Sequence, residues 1–178
     1  LKPPLKVRSA LIEITARNIL MEAGTISPPV PALKIIERYA KIKWYDDDFE
    51  EGFSLKRKGK AYILLNKNMV KGRDNYTFAH ELAHVVLDHL DIDEDDITDY
   101  HRRVLRREAD SFAASFLMPE EWVHRACAHC APHCIRSLGD LVRQFDVSWA
   151  AMEIRLHELG ICERDYIRWL WANKSGRG

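Results

Sequence analysis

The stretch Tyr76-Thr77-Phe78-Ala79-His80-Glu81-Leu82-Ala83-His84-Val85-Val86-Leu87 decides how the rest of the chain is read. It contains His80-Glu81-x-x-His84, which on a helix is a zinc-peptidase signature. Four residues advance an α-helix by about 400°, so the two imidazoles leave almost the same side, one turn apart. Both can then reach one tetrahedral zinc at about 2.0–2.1 Å. Glu81 lies about 100° further round the helix, where it can face the open position of the metal without being a ligand. Phe78, Leu82 and Val85 mark an apolar face at i, i+4 and i+7, and Asn75 or Thr77 is positioned to cap the start. Two histidines four apart can also be ordinary surface residues. The neighbours Ala79, Leu82, Ala83, Val85 and Val86 are too small and apolar for a solvated face.

A catalytic zinc takes three protein ligands and keeps one position open, so a third ligand must come from elsewhere. The helical stretch from about His101 to Met118 offers it. Glu108 has Val104, Leu105 and Phe112 at helical spacing, so its carboxylate emerges from an apolar face, where a metal would relieve the cost of burial. Asp110, among Arg106, Arg107, Ala113 and Ala114, fits a paired or exposed acid better. His101, two turns before Glu108, is the rival ligand. His89 follows His84 by five residues, about 140° round a continuous helix, and is badly placed to share the metal.

Working outward, a helix is expected from about Val7 to Ala23, with Leu11, Ile14, Ile19 and Leu20 as its stripe and Gly24 ending it. A turn-rich connection follows over Thr25 to Pro31, then a second helix over about Ala32 to Tyr39. Between Ile42 and Asn66 the pattern becomes three short strands, Ile42–Tyr45, Gly52–Lys56 and Ala61–Asn66, the last two joined by a turn at Lys58-Gly59-Lys60. They are expected to form a small antiparallel meander. A zinc peptidase can hold an extended substrate on such a sheet edge, although a plain scaffold serves equally well.

The segment Asp91-Ile92-Asp93-Glu94-Asp95-Asp96-Ile97-Thr98-Asp99 matches the start of a calcium loop. Asp96 stands where glycine is needed and Arg102 where the bidentate glutamate should be, so the calcium reading fails. A solvated acidic loop near the cleft mouth remains, with a bias toward basic substrates.

The motifs Phe78-Ala79-His80-Glu81-Leu82-Ala83-His84 and Glu108-Ala109-Asp110-Ser111-Phe112-Ala113-Ala114-Ser115-Phe116-Leu117-Met118-Pro119 together resemble the ImmA/IrrE family of zinc metallopeptidases. In the second motif Asp110 stands in the place of the family's Asn. The resemblance extends over roughly Ala32 to Ile161. It implies that His80, His84 and Glu108 bind a catalytic Zn2+ and that Glu81 is the general base. It further implies peptide-bond hydrolysis in a protein substrate, a helix-turn-helix repressor of a mobile element, stress response or toxin–antitoxin-like system. The alternative is a non-catalytic zincin-fold partner that sequesters a regulator or toxin. Tyr76, Tyr100 and His101 are candidates for a second oxyanion donor or substrate contact.

Beyond Pro119, His124-x-x-Cys127-x-His129-Cys130-x-x-His133-Cys134 crowds six potential zinc ligands into one run. Cys127, Cys130, His133 and Cys134 could form a second, structural zinc site. Such sites normally join two separated ligand pairs, and Pro132 interrupts any aligning helix, so a loop with incidental cysteines is the expectation. Leu138–Phe145 and Ser148–Leu159 read as two helices, with Ser148 and Gly160 as caps. They mimic a helix-turn-helix, but Trp149, Met152, Glu153 and Glu158 leave only Arg155 suited to a DNA groove, so core packing is expected. Trp169 and Trp171 are expected to dock the tail.

The fold class is α+β, a mostly helical zincin-like domain with a small three-stranded sheet. One metallopeptidase domain is expected over 1–178, with N-terminal helices at 1–40, the sheet at 41–67, zinc-site helices at 75–119 and a helical appendage at 120–178. With 27 basic and 27 acidic residues the chain gives no general reason to expect nucleic acid or an anionic membrane as partner. Leu1-Lys2-Pro3-Pro4 does not read as a signal peptide and the cysteine usage does not suggest a secreted disulfide framework, so a cytoplasmic setting is expected.

Overall fold

The structure, a computed structural model, describes residues 1–46, 51–69, 74–128 and 135–162. Its first helix, α1 (Ser9–Ala23), buries Ile12, Ala16, Ile19 and Leu20. Ile19 and Leu20 are buried as expected, but Ile12 and Ala16 take the places expected of Leu11 and Ile14, which face outward. Gly24, at φ 67°, closes the helix in the left-handed region, where a side chain would be strained. Helix α2 (Ala32–Ile36) is short, and tight turns carry the chain from it to Ala40.

Strands β1 (Lys41–Tyr45), β2 (Gly52–Arg57) and β3 (Lys60–Asn66) form one sheet in the order β1-β3-β2. β2 and β3 are the expected antiparallel hairpin, turned at Lys58 and Gly59, both at positive φ. The expected all-antiparallel meander is corrected at β1, which pairs parallel to β3 from Lys41↔Tyr62 to Tyr45↔Asn66. The physical reason is burial. β3 carries Ile63 and Leu65, both fully buried, and takes the centre, leaving the more exposed β1 and β2 as the two edges.

Helix α3 (Asp74–Val86) carries the histidine motif and packs on α4 (Asp99–Leu117), α2 and the sheet. It begins one residue before Asn75, so neither expected cap acts as one. Asn75 Nδ2 instead donates to Asp146 Oδ2 at 2.6 Å, and Thr77 Oγ1 to Glu51 Oε2 at 3.1 Å. Ala79, Leu82 and Ala83 are fully buried, and the two alanines let α3 approach its neighbours closely. A Cβ on Gly52 would stand 3.1 Å from Thr77 Cγ2 and 3.2 Å from the Leu64 carbonyl oxygen, so glycine lets β2 lie against α3.

After α3, Asp88 turns left-handed at φ 58° and starts a short 3-10 turn, His89–Asp91. A second 3-10 turn, Glu94–Asp96, leads to Thr98, which caps α4 reciprocally with His101. α4 buries Val104, Leu105, Glu108, Ala109, Phe112, Ala113 and Phe116 on one face, and α1 lies against it. Helices α5 (Glu120–Ala128), α6 (Ile135–Phe145) and α7 (Trp149–Glu158) complete the described chain. Ser148 caps α7 through its Oγ, and Gly160 follows its end in the left-handed region at φ 66°.

Leu138, Leu141, Phe145, Met152 and Leu156 of α6 and α7 belong to the same hydrophobic cluster as α1, α3 and α4. Arg155 is buried and its Nε donates to the Met118 carbonyl at 3.0 Å, so it is unavailable to a DNA groove. No helix among the described residues is long and apolar enough to cross a membrane. Trp169 and Trp171 lie outside the described residues.

Candidate active site

His80 and His84 stand one turn apart on α3 with ring centroids separated by 5.2 Å. Glu81, on the next flank of the helix, is only 7% exposed. His80 and Glu81 edge a cavity of about 530 Å3 that is also lined by Glu51, Gly52, Tyr76, Thr77, Arg106 and Asp110. Glu51 and Gly52, at the start of β2, therefore supply one wall of the cavity, and α3 and α4 supply the rest. None of the acidic residues 91–99 lines this cavity; Asp91 instead pairs with Lys56.

The α4 carboxylate that meets the motif directly is Asp110. Its Oδ1 lies 2.9 Å from His80 Nδ1 and accepts from the Tyr76 hydroxyl at 3.3 Å. An ionised carboxylate only accepts, so His80 donates an Nδ1–H to Asp110 and turns its Nε2 away from it. Burial would raise the Asp110 pKa, but the His80 and Tyr76 contacts outweigh it and hold the carboxyl below its ordinary range. Burial and then Asp110 push the Tyr76 phenol up, so it stays a donor.

Glu108 is fully buried, as expected, but its partners differ from those expected of a third metal ligand. Oε1 accepts the Arg8 backbone N–H at 2.7 Å and its Nε–H at 2.9 Å. Oε2 accepts from Arg8 Nη2 at 2.7 Å and lies 2.9 Å from His89 Nε2. His89 in turn places its Nδ1 3.1 Å from His84 Nδ1. The carboxylate thus stands behind His89. Burial pushes the Glu108 pKa up, but the Arg8 and His89 hydrogen bonds bring it below its ordinary value. Burial, then the neighbouring His89 and His80, drive the His84 imidazole down to about 3, so it is neutral.

This geometry fits a metal in part. His80 and His84 stand on one helix face, where two imidazoles could serve as zinc donors. Glu108 could join them only by leaving Arg8 and His89. Among the described residues no three His, Cys, Asp or Glu side chains stand together as an enclosing set. Arg106, a cation, lines the cavity beside His80 and Glu81.

Of the three candidate oxyanion donors, only Tyr76 reaches this cavity. The Tyr100 hydroxyl donates to the Leu5 carbonyl at 2.6 Å, and His101 is used in the α4 cap, which also removes it as a rival metal ligand. Cys127 is half-buried on α5, whereas Cys130, His133 and Cys134 lie outside the described residues. Arg8 is the participant to which the sequence does not point; His89, expected to be badly placed on a continuous helix, and Arg106, named only as a neighbour of Asp110, also stand at the site. An aspartate placed where a helix could end in the left-handed region was the one local signal for the fold-back of His89.

A second cavity, of about 660 Å3, shares Glu51, Tyr76, Thr77 and Asp110 with the first. Val7, Ala114, Met118, Ala151 and Ile154 give it an apolar lining.

A family model described as IrrE N-terminal-like domain matches residues 35–157 of the chain. Among solved structures, a Mycobacterium tuberculosis transcriptional regulator is similar, with a TM-score of 0.62 and 20% identity over 83% of this chain and 46% of that one. At this identity the likeness concerns the fold alone, and the chain spans less than half the length of that protein. No curated protein is similar enough in sequence to match.

Proposed function

The chain belongs to the IrrE N-terminal-like domain family, whose model covers well over half of it, and from that premise we propose that it is a zinc-dependent endopeptidase. The observation that carries this reading is the pairing of His80 and His84 on one face of a buried helix, with Glu81 beside them at a cavity. His80 and His84 would hold the metal through Nε2. Bound there, zinc would bring the pKa of water toward about 7 and favour negative charge on the scissile carbonyl oxygen.

The protein's own residues do the rest. Asp110 keeps His80 in the metal-binding tautomer. Glu81 accepts the proton of the attacking water as the new C–O bond forms, then passes it to the nitrogen as the C–N bond breaks. The apolar cavity behind Tyr76 has room for a substrate side chain flanking that bond. The proposed substrate is a helix-turn-helix repressor in the cytoplasm, with no direct contact between this chain and nucleic acid. Incubating the protein with the product of the adjacent gene, with and without a chelator, tests the reading. Chelator-sensitive fragments that vanish with Glu81→Gln are expected, and cleavage that persists in that variant overturns the mechanism.

A second reading is a non-catalytic partner that binds and sequesters a regulator. Arg106 at the cavity and the engagement of Glu108 by Arg8 favour it. Chelator-insensitive binding without fragments would support this reading over the first.

A further inference from the structure

We propose that Arg102, Arg103, Arg106 and Arg107 form a docking stripe on α4 for an acidic segment of the protein substrate. The proposal rests on the peptidase reading above for where that segment lies, although the charge preference of the stripe can be measured without cleavage.

The first observation is that these charges are uncompensated. All four residues are exposed, and none of their side chains has a hydrogen bond or ion pair among the described residues. They stand at i, i+1, i+4 and i+5, which sets Arg102 beside Arg106 and Arg103 beside Arg107, one turn apart. Like charges at that spacing repel. The acids that precede them do not offset this. Asp91 pairs with Lys56, and Glu94, Asp95, Asp96 and Asp99 pair with none of the four.

The second observation is position. Arg106 lines the cavity that holds His80 and Glu81, and Arg107 lines the adjoining apolar cavity with Asp110, Ser111 and Ala114. The neighbouring acids are already engaged: Asp110 by His80 and Tyr76, Glu51 by Thr77, and Glu158 by Arg155 at 3.7 Å. A peptide entering the cleft therefore meets free guanidinium donors beside carboxylates that have partners. Guanidinium takes a carboxylate through paired, charge-assisted hydrogen bonds.

The third observation is reach. Arg102 and Arg103 precede Asp110, the residue that touches His80, by about 10–12 Å along the helix. An extended peptide rises about 3.3 Å per residue, so acidic side chains about two to six residues from the scissile bond fall against the stripe. This preference is opposite to the bias expected from residues 91–99, none of which lines either cavity. A phosphate backbone would also suit four arginines. The balance of 27 basic and 27 acidic residues, and the opening of the stripe into the cleft, favour a peptide.

Fluorescence anisotropy on the Glu81→Gln protein, supplied with Zn2+ and unable to cut, tests this. The probes are a labelled peptide of alternating glutamate and leucine, its glutamine counterpart, and a single-stranded oligonucleotide of equal charge. The acidic peptide is expected to bind about 10-fold more tightly than the glutamine peptide. Adding Arg102→Gln and Arg103→Gln together should weaken the acidic peptide by about 5–10-fold, and glutamine keeps the helix propensity of both sites. Arg125→Gln, at an exposed arginine of α5 that lines neither cavity, should not weaken it. Equal affinity for the two peptides, or an equal loss in Arg125→Gln, overturns the proposal. An oligonucleotide bound more tightly than the acidic peptide, and lost with Arg102 and Arg103, assigns the stripe to nucleic acid and overturns it as well. If the unsubstituted protein cuts nothing, the peptidase reading fails while the anisotropy still decides the stripe. If it cuts the product of the adjacent gene and the loss of Arg102 and Arg103 leaves KM unchanged, the stripe fails and the peptidase reading stands.

Discussion

The Nδ1 atoms of His84 and His89 stand 3.1 Å apart, although five residues on a continuous helix would turn their side chains well away from each other. The left-handed residue Asp88 makes the difference by ending α3 and folding His89 back onto its last turn. The second motif histidine is therefore backed by protein on its Nδ1 side, as His80 is by Asp110.

Glu81→Gln preserves size and leaves His80 and His84 untouched, so zinc content measured by mass spectrometry should match that of the unsubstituted protein. Cleavage should fall by about 100-fold or more, the usual contribution of a general base. A variant that binds zinc and cuts at an undiminished rate would remove Glu81 from the mechanism.

Asp110→Asn retains an oxygen that can accept from His80 Nδ1, and it should keep zinc affinity close to that of the unsubstituted protein. Asp110→Leu removes the acceptor and should weaken zinc by about 10–100-fold. Chelator competition measures both. Equal affinity in the two variants would show that Asp110 does not hold His80 in place.

Acid should destabilise the metal-free protein. Burial lowers His84 from its ordinary 6.5 to about 3, so below about 6.5 the unfolded chain takes up a proton that the folded chain refuses. Glu108 and Asp110 lie below their ordinary 4.5 and 3.8, so their contribution, full above those values, is lost as pH falls through the folded ones. All three shifts have the same sign. The urea midpoint should drop from pH 7 to pH 4, and a flat or rising midpoint would contradict the network.

Phe112 is fully buried on α4 and stacks on Phe116 with centroids 5.5 Å apart. Phe112→Ala should cost about 3–5 kcal/mol through lost burial and the cavity left behind. Urea denaturation measures this loss, and a change below about 1 kcal/mol would mean that the α4 face is not close-packed.

Local sequence carried much of the fold. Periodicity placed α1, α3, α4 and α7 to within a few residues, and Ser148 and Gly160 sit at the ends of α7 as their side-chain chemistry demands. The N-terminal half of the buried face of α1 differs from expectation because Leu11 and Ile14 are as apolar as Ile12 and Ala16. Only the packing of α1 on α4 separates them. Burial of Glu108 was legible from Val104, Leu105 and Phe112. Its partner was not, because Arg8 is 100 positions away.

By itself the sequence determined that His80, Glu81 and His84 share one helical turn, since that follows from spacing and helix geometry alone. It also indicated that Glu108 points inward and that Asp110 is a paired or exposed acid, because each depends on neighbours within one turn. Tertiary structure alone decided which groups satisfy them: Asp110 at His80, Arg8 and His89 at Glu108, and β1 parallel to β3. The physical reason is range. Periodicity and caps act over about four residues, whereas a buried charge takes whichever partner packing brings within hydrogen-bond distance.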